Sequence, residues 1–315
     1  MELFFKLGRY LFAWLLCKWM LEARLMSNYK TTVITDLDNT LFDWVELWLN
    51  CFSAMLDEIV RISGVPKEVL IPEIAAVHQK HGTSEYSMLI EELPSLEKVL
   101  SGRPAVDVFA SAVQAYRDQR RKYLVLYPGV AETLQELKAR GTRIIGYTES
   151  MAFYSNYRVK RLGLDGVLDF IFCPADHVLP EGVSVDDLRY YPAEHYSLQY
   201  TVQHFTPKGS KKPDAKVLEA IVNDLGLTKS ECIYIGDSLM KDIAMAADCG
   251  IENAWAKYGQ AHSRKEYRLL QDVTHWTPEE VAREQRIRAR VDVHPDHTLE
   301  VGFSELLDIF VFRKF

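Results

Sequence analysis

Two acids, Asp36 and Asp38, stand two residues apart directly after the β-branched, apolar run Thr31 to Thr35. Other polar groups recur in a similar setting. Thr148 follows Arg143 to Tyr147, Lys212 precedes Pro213, and Gly236-Asp237 follows Cys232 to Ile235, with Ser238 beside it and Asp242 beyond. These residue types suit phosphoryl transfer. A carboxylate can attack phosphorus and hold the group covalently. A second carboxylic acid can protonate the leaving oxygen and later activate water. A cation, a lysine and oriented amides can neutralise the equatorial oxygens. Hard carboxylate oxygens are what magnesium takes as ligands. Thr148, with the amides of Glu149 and Ser150 at what reads as a helix N-terminus, suits a phosphate.

Such groups work only if the fold gathers them. The run ending at Thr35 reads as a short buried strand of a parallel sheet. Arg143 to Tyr147, Phe170 to Cys173, Cys232 to Ile235 and Asn253 to Ala256 are similar runs, and helical patterns separate them, one closing at Gly141, one reaching Arg161 and one running from Lys212 to Leu225. Alternating strands and helices predict an α/β fold with a doubly wound, parallel, Rossmann-like sheet. In such sheets the carboxyl ends of the strands form the ligand crevice, and every group named above lies at one of those ends or opens the helix beyond it. From Trp44 to Tyr123 the pattern is helical, with breaks at Gly64, Pro66 and Pro94. An inserted α-helical domain is therefore expected over 44–123, leaving 28–43 and 124–315 as the core. Residues 177–206 are irregular and aromatic-rich. They read as an extra insertion in the core: a hairpin beside the entrance, an oligomer contact or a decorated loop.

Plainer readings exist for the same residues. Asp36 and Asp38 could cap a strand, Thr148 could cap a helix, and Asp242 could be a solvated helix acid. Lys212 competes with Lys208, Lys211 and Lys216, and its place before Pro213 favours it.

At 315 residues the chain suits one large or two modest domains, and its 48% apolar and 26% charged residues describe a globular protein. A net charge of −7 argues against nucleic acid as a partner. The stretch Arg283 to Arg290 is the densest basic patch and reads as a solvated helix face. Five cysteines without a CxxC pair predict reduced core thiols and a cytoplasmic protein. His78 with His81, and His294 with His297, have HxxH spacing but no cysteine nearby and no zinc-helix arrangement. Residues 1–27 form an apolar extension. Its longest uncharged run, Tyr10 to Cys17, is far shorter than the roughly 20 residues a bilayer needs. A surface-docking helix, an interfacial membrane helix or translated sequence upstream of a start at Met26 would each fit, and no essential part in the chemistry is expected.

Order and spacing carry a resemblance. Asp36-Leu37-Asp38-Asn39-Thr40-Leu41 looks like motif one of the haloacid dehalogenase superfamily. Gly146-Tyr147-Thr148-Glu149-Ser150 resembles motif two, Lys212-Pro213-Asp214 motif three, and Ile235-Gly236-Asp237-Ser238 through Asp242 motif four. The resemblance implies that Asp36 is nucleophile and magnesium ligand. It implies that Asp38 is the general acid and base, with its main-chain carbonyl on the metal. Thr148, Glu149 and Lys212 would hold the phosphoryl group. Asp237 would bind Mg2+, and Asp242 would support it directly or through water. Thr40 is expected to shape the turn. An acid at Asp38 fits ester hydrolysis or phosphomutase chemistry, since members acting on carbon–halogen bonds carry none there. The helical insertion over 44–123 corresponds to a cap that covers the site and selects a small phosphorylated metabolite; the polar stretch His81 to Tyr86 between its helices reads either as a plain loop or as the part that faces the substrate. The leading expectation is a magnesium-dependent hydrolase of a small phosphomonoester, working through an aspartyl-phosphate. The alternatives are a phosphomutase on a sugar phosphate and a regulatory binding protein with a residual site.

Overall fold

A computed structural model describes residues 29–176, 179, 181–189, 191–259, 267–273, 286 and 293–315. The N-terminal extension and nearly all of the basic stretch at 283–290 lie outside the described residues. No helix among the described residues is long and apolar enough to cross a membrane.

The strands are β1 (Tyr29–Lys30), β2 (Thr32–Thr35), β3 (Arg143–Tyr147), β4 (Phe170–Cys173), β5 (Val202–Phe205), β6 (Cys232–Gly236), β7 (Asn253–Ala256), β8 (His297–Leu299) and β9 (Val311–Phe312). Seven of them form one sheet in the order β5-β4-β3-β2-β6-β7-β8, and β1 pairs with β9 separately. Every pairing is parallel. Side chains alternate across each strand, so neighbouring residues enter opposite layers. Val33, Ile144, Ile171 and Ile233 join one buried cluster, while Ile34, Ile145, Phe172 and Tyr234 join another. That double burial is why these runs are continuously apolar.

The main helices are α1 (Trp44–Ser63), α2 (Lys67–His81), α3 (Ala110–Tyr123), α4 (Val130–Ala139), α5 (Ala152–Arg161), α6 (Ala215–Asp224) and α7 (Ala244–Cys249). One face of the sheet is covered by Val130, Leu134 and Leu137 of α4 with Tyr157 and Val159 of α5. The other is covered by Val217, Leu218, Ile221 and Val222 of α6 with Met245, Ala246 and Cys249 of α7. The doubly wound α/β expectation therefore holds.

α1 begins where the Asp43 carboxylate accepts from the Glu46 amide at 2.8 Å, and ends at Gly64, whose φ of 71° is left-handed. Val45, Trp48, Phe52, Leu56 and Ile59 recur at helical spacing and pack with Leu70, Ile74 and Val77 of α2 and with Phe109 and Ala112. Leu47 and Cys51 point the other way, into the cluster under the sheet. α1 is thus a wall shared by the helical layer and the core. Leu270 and Val273 add to the helical layer from far along the chain, and the His78 Nδ1 hydrogen donates to the Val273 carbonyl at 2.7 Å. Val202–Phe205, read from sequence as part of an irregular stretch, is instead the edge strand beside β4.

Candidate active site

Register places the acids. Thr35 of β2 lies opposite Gly146 of β3 and Ile235 of β6. One residue further, Asp36 emerges between Tyr147 and Gly236, and its amide still donates to the Ile235 carbonyl at 2.8 Å. The chain then turns sharply. Leu41 N donates to Leu37 O at 2.8 Å, Asn39 takes a φ of 58°, and the Asn39 side chain accepts from the Val45 amide at 3.2 Å. Asx side chains make such local bonds and tolerate that conformation. The turn throws Asp38 back towards Thr148.

Asp36, Asp237 and Asp242 each offer a carboxylate oxygen within 4.8 Å of the others. Lys212, buried after β5, donates to Asp36 Oδ1 at 2.5 Å, Asp242 Oδ1 at 2.9 Å and the Tyr147 carbonyl at 2.9 Å. It is thus the ammonium that meets Asp36. Tyr234 OH donates to Asp242 Oδ1 at 2.9 Å, and the Ser238 amide to its Oδ2 at 3.2 Å. Asp242 lies over Gly236 so closely that a Cβ there would stand 2.3 Å from the Asp242 Cγ. Asp242 is buried, not a solvated helix acid. Thr40, fully buried, donates to Asp36 Oδ2 at 3.4 Å, so the turn residue also steadies the first carboxylate.

Three acids share one ammonium, and the electrostatics show it. Burial, with Asp242 and Asp38 adding like charge against Lys212, pushes Asp36 up to about 8. Burial and the charges of Asp242 and Asp36 push Asp237 well above the usual carboxylate range. Burial works against the Lys212 charge, but Asp242 and Asp36 hold its pKa above the ordinary lysine value. A set of oxygen donors with excess negative charge fits a hard divalent cation, and Asp36, Asp237 and Asp242 are the side chains that would hold it.

Asp38 belongs to a second network. Its Oδ2 accepts from Ser150 Oγ at 2.7 Å and Thr148 Oγ1 at 3.2 Å, and its Oδ1 from Arg158 Nη1 at 3.3 Å. Arg158 also donates to Ser150 Oγ at 2.9 Å and pairs with Glu85. Asp38 thus has its own partners in the turn between β3 and α5 and on α5, with Glu85 of the loop after α2 behind Arg158. α5 starts at Ala152, so Thr148 lies in the preceding turn rather than at the helix N-terminus, where its Oγ1 accepts from the Ser150 amide at 3.0 Å. The Glu149 carboxylate turns to Lys241 at 2.6 Å and to the Lys212 amide at 3.0 Å. Burial opposes its ionisation, yet Lys241 and Lys212 lower its pKa.

Sequence reasoning passed over Arg158 and Tyr234, and it reached Glu85 only as one residue of the stretch His81 to Tyr86. Arg158 is 4% exposed in the middle of α5, where helical periodicity would place a charged side chain in water. Its partners sit 73 and 120 residues away, so no local pattern signals them. Of His81 to Tyr86, Glu85 is the residue that reaches this network. His81 and Tyr86 turn to Glu92 instead, at 2.9 and 2.8 Å.

A parallel sheet with acids, a lysine and a threonine at its carboxyl edge defines a hydrolase of the haloacid dehalogenase type. The family model "haloacid dehalogenase-like hydrolase" matches residues 30–250, and the chain belongs to that family. Among curated relatives, a protein of Methanopyrus kandleri named glyceraldehyde 3-phosphate phosphatase is 24% identical over 72% of this chain and 84% of its own length. One of the same name from Pyrococcus furiosus is 25% identical over 72% of this chain and 81% of its own. Among solved structures, the HAD-hydrolase YfnB of Bacillus subtilis, bound to magnesium, aligns at 15% identity with a TM-score of 0.47, covering 90% of this chain and 98% of that one.

Proposed function

We propose that the protein removes phosphate from a small phosphomonoester, with magnesium as cofactor and an aspartyl-phosphate on Asp36. It is a phosphoric monoester hydrolase on this reading. The carrying observation is the division of labour between the two acids two residues apart. Asp36 faces Lys212, Asp237 and Asp242, whereas Asp38 faces Thr148, Ser150 and Arg158. That separation supports attack by one carboxylate and proton transfer by the other.

Asp36 attacks phosphorus through a carboxylate oxygen, and the ester bond breaks. Asp38 gives its proton to the departing oxygen. The Asp38 carboxylate then takes a proton from water, whose oxygen attacks the phosphorus of the aspartyl-phosphate and frees Asp36 and inorganic phosphate. Lys212 and Thr148 hold the phosphoryl oxygens, and Glu149 contributes by fixing the Lys212 backbone. A magnesium ion held by Asp36, Asp237, Asp242 and the Asp38 carbonyl would supply positive charge to the transferring group. The helices of 44–123 act as the cap that excludes water. The names of the relatives support a small phosphorylated substrate, and the buried thiols Cys51, Cys173, Cys232 and Cys249 fit a cytoplasmic location.

The test is phosphate release from an aryl phosphate by purified protein. Chelation should abolish it and magnesium restore it. Full turnover by exhaustively metal-stripped protein would overturn the cofactor assignment.

A further inference from the structure

A cavity of about 140 Å³ lies beside Glu85, and the Arg158 that pairs with Glu85 also reaches Asp38, at 3.3 Å. Both layers build its walls. Trp48 and Phe52 come from α1, Tyr116 from α3, and Phe153 and Tyr154 from α5. The loop between α2 and the rest of the helical layer is pinned over it, since Trp48 Nε1 donates to the Ser84 carbonyl at 3.0 Å and Ser87 Oγ meets Tyr154 OH at 2.8 Å. An apolar cavity of about 150 Å³ takes a benzene-sized guest, so this one has room for a single flat ring.

Charged side chains stand in its walls. Glu85 is already paired with Arg158. His78, in the wall, is held neutral at physiological pH because burial pushes its pKa down to about 4. Arg117 and Arg120, three residues apart on α3, both line the space. Among the described residues Arg120 has no carboxylate partner. Its guanidinium stands 4.1 Å from the Tyr157 ring centroid, and its Nε is buried without a hydrogen-bond partner. An unmet buried donor on a cation costs free energy, and a ligand that supplies an anionic acceptor recovers it.

Resting on the phosphatase reading above, we propose that this cavity receives the leaving group and selects a phosphomonoester whose alcohol is a flat, ring-sized acid. The ring lies among the aromatic walls and its carboxylate meets Arg120. The ester oxygen points back past Arg158 to Asp38. Triose phosphates lack both the ring and the second anion, so they would leave the chamber largely unused.

Two substrates of matched shape isolate the charge: 4-carboxyphenyl phosphate and its neutral amide, 4-carbamoylphenyl phosphate. For the wild type, kcat/KM should favour the carboxylate by at least about tenfold, as expected for a charge-assisted hydrogen bond. Most of the difference should lie in KM. The ratio should fall to near one in Arg120→Gln and stay clearly above one in Arg120→Lys, which keeps the charge; Arg120→Lys also serves if the Gln variant fails to fold. Equal wild-type rates on both esters would overturn the chamber while leaving the phosphatase reading intact. So would a preference that survives Arg120→Gln. If no phosphomonoester at all is hydrolysed, the phosphatase reading fails and the chamber assignment fails with it.

Discussion

His78 couples the stability of the helical layer to pH. It is 1% exposed, it donates from Nδ1 to Val273, and its Nε2 has no hydrogen-bond partner among the described residues. Burial lowers its pKa from 6.5 to about 4. The folded form therefore refuses a proton that the unfolded chain accepts. A depressed folded value means that stability is complete above about 6.5 and is lost as pH falls towards 4. At about 1.4 kcal/mol per unit the ceiling is roughly 3 kcal/mol, and at pH 5 the loss is about 2 kcal/mol. His78→Asn keeps a donor near Nδ1 and cannot titrate. Urea unfolding followed by tryptophan fluorescence reports on this layer, because Trp48 stacks on Phe52 at 4.6 Å between ring centroids. Between pH 7.5 and pH 5 the wild type should lose about 2 kcal/mol more than His78→Asn. Equal losses, within about 0.5 kcal/mol, would show that His78 is protonated in the folded protein and that the burial reasoning is wrong.

Asp36→Asn should cut phosphatase turnover by at least about a thousandfold with an unchanged circular dichroism spectrum, and robust turnover would refute the nucleophile assignment. Gly236→Ala places a Cβ against Asp242, so it should destabilise by about 1–3 kcal/mol and depress activity together, as overpacking does. Wild-type melting and activity would show that Asp242 can move at no cost. Arg158→Gln frees Asp38 from its guanidinium, and kcat should fall at least about tenfold more on an alkyl phosphate, which needs a proton on its leaving oxygen, than on an aryl phosphate. Equal losses on both esters would mark Arg158 as merely structural.

The parts of the fold legible in the sequence are those buried on two sides. β2, β3, β4, β6 and β7 sit inside the sheet and read as apolar runs. β5 was not legible, because an edge strand need bury little: Val202 is 49% exposed and Phe205 60%. β8 is three residues long with only Leu299 fully buried, and β1 and β9 have two residues each. The acids were legible because strand ends share one edge in any parallel sheet. Thr148 reads as a helix opener from local pattern alone, yet the turn to Ala152 intervenes. The Arg158–Glu85 pair depends on how the helical layer meets the core, which no local spacing encodes.

The central position of β2 has a consequence during synthesis. Both its neighbours are made much later than β2 itself, and Lys212 is 176 residues beyond Asp36. At roughly 5–20 residues per second that interval is about 9 to 35 s. Throughout it the nascent chain carries an apolar strand with an open edge and an acid that must stay hydrated until its ammonium arrives. Such an interval favours pairing with the wrong strand. α1 and α2 emerge directly after β2 and can form from local contacts while it waits. On the ribosome, the helical layer is thus available as a screen for the strand that leads into Asp36.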